Sequence, residues 1–109
     1  MEKELVEKAV ANFRVPPTMY NCAQTVASVT ENEDIISDMK SCGGGRAPEG
    51  LCGALYAAIM ISPPGERDEV RKEFRKRLGG ETCTELKQDL KVPCPMCVRV
   101  AAEVARYKK

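Results

Sequence analysis

The chain contains no histidine and no tryptophan. Without an imidazole there is no histidine base, no Cys-His nucleophilic pair, no His-containing zinc site and no His-ligated haem. A strong charge of either sign is lacking too: 17 Lys and Arg face 16 Asp and Glu. Such a balance creates no field to draw nucleic acid or an acidic membrane surface, so neither is expected as a partner. Apolar runs long enough to cross a bilayer are missing, which argues against membrane insertion. The opening MEKELVEKAVANF carries charge throughout, unlike a secretory signal, and the expected address is the cytoplasm. At 109 residues the chain is read as a single domain, 1–109, large enough to bury a core without covalent cross-links.

Cysteine, by contrast, is abundant. Six in this length exceed ordinary cytosolic usage yet fall short of a secreted disulfide scaffold. Without an export signal, redox or metal-binding use is favoured over cross-linking, and cysteine must carry whatever chemistry the chain performs.

Hydrophobic spacing predicts helices throughout. Leu5, Val6, Ala9, Val10 and Phe13 recur at helical intervals over Glu2–Phe13, and Pro16-Pro17 close the run. Asn21 is a suitable N-cap for a second helix carrying Cys22, Val26 and Val29, which either fades near Asn32 or resumes with Ile35, Ile36 and Met39. The stretch from Cys42 to Gly50 is too rich in glycine and proline for a regular element. LCGALYAAIMI reads as a buried central helix over Gly50–Ile61, stopped by Ser62-Pro63-Pro64-Gly65. Glu66–Leu78 forms an amphipathic helix with Val70, Phe74 and Leu78 on one stripe, closed by Gly79-Gly80. Thr82 with Glu85 makes a capping box over TCTELKQDL, and Pro93 and Pro95 introduce a last helix with Cys97, Val100, Ala101 and Val104 on one face. The expected fold is all-α, a compact array of about five to six short helices.

Four thiols fall at helix starts on this map: Cys22 behind Asn21, Cys52 in the first turn of the buried helix, Cys83 behind Thr82, and Cys94 at the cap of the last helix. Unpaired backbone N–H groups at a helix start favour thiolate over thiol and lower a cysteine pKa below its free value of about 8.5. Any one of these cysteines alone is read as a small buried apolar residue; four at helix starts point to chemistry. Cys94-Pro95-Met96-Cys97 is a CxxC motif, whose spacing lets two thiols meet across one turn, although Cys97 equally suits a core position. No second CxxC is present to build a zinc ribbon, and the strand that precedes the motif in thioredoxin-like folds is absent. Cys42 lies against the glycine loop, as resolving partner or bystander. Gly43-Gly44-Gly45-Arg46 lacks the Gly-Lys-Ser/Thr ending of a phosphate loop and is read as a connector. The cations Arg71, Lys72, Arg75, Lys76 and Arg77 are offset by Glu66, Asp68, Glu69 and Glu73 and make a solvated helix face.

The segments Asn21-Cys22-Ala23-Gln24, Gly50-Leu51-Cys52-Gly53-Ala54, Cys83-Thr84-Glu85-Leu86, and Cys94 followed by Val98 and Ala101-Ala102, resemble in order the redox-active proteins named for the pattern C_GCAxxG_C_C. The resemblance spans nearly the whole chain after the first helix and implies that Cys22, Cys52, Cys83 and Cys94 are the family cysteines. Ala57 stands where the pattern has its last glycine, and Cys42 and Cys97 are additions. The pattern also resembles part of split-Soret cytochromes, which implies that such cysteines can serve an iron–sulfur centre. Lacking Cys-x-x-Cys-His, this chain is not expected to hold haem.

The leading expectation is a thiol redox protein that cycles between dithiol and disulfide with an unidentified partner protein, a thiol–disulfide oxidoreductase in reaction type. Cys22, Cys52, Cys83, Cys94 and Cys97 are its candidate residues, with Cys52 or Cys94 the preferred nucleophile. The second is a binding module in which Cys22, Cys52, Cys83 and Cys94 ligate an iron–sulfur cluster or, less favoured, zinc. The third is a helical interaction protein with inert thiols.

Overall fold

The computed structural model describes residues 3–11, 13, 20–30, 32–42 and 50–106, and leaves aside the side chains of Leu5, Ser41, Cys42 and Lys87. Six α-helices are present among these residues and no strand. They are α1 (Lys3–Ala11), α2 (Cys22–Ala27), α3 (Glu33–Asp38), α4 (Gly53–Met60), α5 (Arg67–Leu78) and α6 (Cys94–Val104). The all-α expectation is met. The proline stop at Pro16-Pro17 and the loop Gly43-Gly44-Gly45-Arg46 lie outside the described residues. Among the described residues no helix is long and apolar enough to cross a membrane.

Local chemistry explains most boundaries. Asn21 caps α2 with a full capping box: its Oδ1 accepts from the Gln24 amide at 2.7 Å, and Gln24 Oε1 accepts from the Asn21 amide at 3.2 Å. The helical pattern then breaks and resumes, because Asn32 caps α3 by accepting from the amides of Asp34 and Ile35. A 3₁₀ turn, Met39–Cys42, follows. Helix α5 ends at Gly79, whose φ of 86° is the left-handed conformation that glycine adopts without a Cβ penalty.

Two expected boundaries move. The central helix begins at Gly53 rather than Gly50, because Gly50 has φ 71° and Leu51 makes an isolated antiparallel bridge with Thr82. The capping box of Thr82 and Glu85 forms, with the Glu85 amide 3.1 Å from Thr82 Oγ1, but the turn beyond it, Glu85–Asp89, is π-helical. Its wider spacing is seen in the Leu90 amide donating to the Glu85 carbonyl at 2.9 Å.

Helix α4 is the hub. Its Ala54, Leu55, Ala57 and Ala58 are fully buried, and it packs against α2, α5 and α6. Small side chains let helix backbones approach closely. Ala57 fits with its methyl group buried. Phe74 and Val70 of α5, Val26 of α2, Val98 of α6 and Leu86 complete the densest part of the core. Helix α1 lies against α6 with Val6 and Ala9 inward.

Candidate functional site: a nest of thiols at the helix starts

The starts of α2, α4 and α6 and the turn at Cys83 bring five described sulfurs into one neighbourhood. Cys52 is the N-cap of α4, one position ahead of the helix rather than inside its first turn as expected, because the helix begins at Gly53. Cys94 is the first residue of α6, where Pro93 takes the cap position expected for Cys94 itself. Cys22 opens α2 directly behind Asn21, and Cys83 follows Thr82 in its capping box. Cys97 sits one turn into α6 on the buried face it shares with Val98, Val100 and Ala101. All five are thiols.

Backbone ties hold these starts together. The Cys52 amide donates to the Glu81 carbonyl at 2.8 Å, which fixes the cap of α4 two residues from Cys83. Glu81 is held in turn by Arg71 of α5, whose Nη2 lies 3.0 Å from Glu81 Oε2. On the other side, Asn21 Nδ2 donates to the carbonyls of Lys40 at 2.8 Å and Met39 at 3.3 Å. One asparagine thus caps the helix that carries Cys22 and anchors the turn that ends at Cys42.

Within the nest the sulfurs differ in depth. Cys52 and Cys97 are buried, at 5% and 4% exposure, while Cys22, Cys83 and Cys94 are half-buried. Each of the two inner thiols is the largest influence on the other's acidity. The hydrogen bond to Cys97, followed by burial, pushes the Cys52 thiol far up, against the pull of the Leu55 and Ala54 amides at the start of α4. The same bond draws Cys97 down, against burial and the electrostatic influence of Cys94, Cys22 and Cys83. The two thiols therefore titrate as a coupled pair.

Cys97 meets Cys52 across two helices, in addition to Cys94 along its own. The sequence offered the CxxC spacing for the second relation and no local signal for the first. Its only trace was that Cys52 opens the most apolar helix and Cys97 lies on the buried stripe of α6. The anchoring role of Asn21 was likewise invisible beyond its capping preference.

The donor set required by the iron–sulfur reading is a different selection of these sulfurs. Among the described residues no group of three or more Cys, Asp or Glu side chains is placed to hold a metal ion. The sulfur that acts most on Cys52 is Cys97, which is not in that donor set. Comparison with family models, curated proteins and solved structures finds no match to this chain.

Proposed function

We propose that this protein is a thiol–disulfide redox protein whose working pair is Cys52 and Cys97. The observation that carries the reading is the placing of two buried thiols, Cys52 at the start of α4 and Cys97 one turn into α6, on two helices packed together, with three further thiols around them. A pair of neighbouring thiols is one step from a disulfide: loss of two electrons and two protons joins the sulfurs. Lowering of Cys97 supplies thiolate, the form that attacks a disulfide. The resemblance to the C_GCAxxG_C_C proteins supports the same chemistry. The partner is a protein that carries a disulfide or dithiol, and a reducing compartment such as the cytoplasm suits a site whose resting form is a set of thiols.

The test is purification without oxygen, followed by measurement of iron, zinc and sulfide, the visible spectrum, and thiol content before and after oxidation. A colourless, metal-free protein that loses two thiols reversibly is the expected result. Near-stoichiometric iron and sulfide with charge-transfer bands would replace this reading by the iron–sulfur one, with Cys22, Cys52, Cys83 and Cys94 as the first ligands to examine. Thiols that never pair reversibly, in a metal-free protein, would favour a helical interaction protein.

A further inference from the structure

The inner pair has a problem of access. Thiol–disulfide exchange needs the attacking sulfur in line with the disulfide it cleaves, and at 4–5% exposure neither Cys52 nor Cys97 is reachable by the disulfide of a folded partner. The outer sulfurs are reachable, and among them Cys94 is distinguished by two observations. It lies one helical turn from Cys97 on the same helix, the i, i+3 relation that puts two side chains side by side. It is also flanked by exposed surface: Pro93, Pro95 and Met96 are all exposed, Met96 to 46%.

We propose that Cys94 is the docking thiol for a partner protein's disulfide, and that oxidation then moves inward in two exchanges to end as a Cys52–Cys97 disulfide. The proposal rests on the thiol–disulfide reading above and assigns its order of events. In the first exchange the Cys94 thiolate attacks one sulfur of the partner disulfide, forming a mixed disulfide and releasing the other partner sulfur as a thiolate. Cys97 then attacks Cys94 Sγ, releases the second partner sulfur and leaves a Cys94–Cys97 disulfide. In the last exchange the Cys52 thiolate attacks Cys97 Sγ and displaces Cys94 as a thiolate, the form in which it began. Two electrons pass from Cys52 and Cys97 to the partner disulfide, and the two protons lost by the pair appear on the two partner thiols. The inner pair is the end point because both its sulfurs are buried, out of reach of a passing reductant, while Cys94 stands half-buried at the start of α6. The outer thiol captures and the inner pair stores.

The experiment uses the full reduced chain, glutathione disulfide as the probe, rapid acid quenching, alkylation and peptide mapping by mass spectrometry. In the unaltered protein the first glutathione adduct is expected on Cys94, followed by Cys94–Cys97 and then Cys52–Cys97. Cys52→Ser should arrest the sequence with Cys94–Cys97 accumulated. Cys94→Ser should slow formation of Cys52–Cys97 by roughly tenfold or more. Circular dichroism checks that both variants fold, and the adduct order in the unaltered chain stands without them. A first adduct on Cys22 or Cys83, or unchanged kinetics in Cys94→Ser, would overturn the relay while leaving the dithiol reading in place. Failure of the unaltered protein to form any internal disulfide would remove the dithiol reading itself.

Discussion

Cys97 owes its acidity to one neighbour. Its hydrogen bond with Cys52 draws it down against burial and three surrounding sulfurs, so removing the donor should reverse the shift. Cys52→Ala is therefore expected to raise the Cys97 pKa, and Cys52→Ser, which keeps a hydrogen on an oxygen, to raise it less. Thiolate absorbance in the ultraviolet, followed against pH, checks this: the alanine variant should titrate at higher pH than the parent. This coupling is where reading the sequence stops short. Cys97 was recognisable as a candidate from CxxC spacing and as a core residue from its stripe with Val100 and Ala101, and it is both. That Cys52, 45 positions earlier, supplies its hydrogen bond depends on how α4 and α6 pack, which no local pattern encodes.

Caps hold the thiols in place at the scale of single elements. Asn21 is expected to matter beyond an ordinary N-cap because it also bonds the Met39 and Lys40 carbonyls. Asn21→Ala should destabilise the fold by about 1–2 kcal/mol, the upper part of the range for a lost cap, measurable by denaturant unfolding. Gly79 is under a different constraint, since at φ 86° a Cβ is strained, and Gly79→Ala should cost about 1–2 kcal/mol by the same measurement.

The box at Cys83 gives a pH signature. Hydrogen bonds from the Thr82 hydroxyl and then from the Thr82 and Glu81 amides hold the Glu85 carboxyl below its usual range. A lowered carboxylate stabilises the fold above its unfolded pKa, and the contribution disappears as pH falls through the folded pKa. Unfolding curves of the parent and of Glu85→Gln should thus differ at neutral pH and converge in acid. Both boxes were legible because they join residues three apart. The start of α4 was not, because the conformation of Gly50 and the bridge from Leu51 to Thr82 depend on a segment some thirty residues away.

The whole molecule is organised around α4, whose alanine-rich surface lets α2, α5 and α6 close in and brings the sulfurs at the starts of α2 and α6 to its own. The helix count and the apolar character of this hub follow directly from composition and spacing. The convergence of the helix starts is a property of packing. A Cys52–Cys97 disulfide would close a loop of about 45 residues, and chain entropy then predicts that the oxidised protein is more stable by about 4 kcal/mol. Paired denaturant titrations of reduced and oxidised protein check that figure.

The most direct test of the account is an anaerobic equilibrium titration in glutathione redox buffers, trapped by alkylation and mapped by mass spectrometry. The account predicts one two-electron transition in which the Cys52–Cys97 peptide rises in step with the loss of two thiols, with Cys22, Cys83 and Cys94 still reduced at the end. Oxidation that stops at a different pair, or produces no Cys52–Cys97 linkage at any potential, would contradict it.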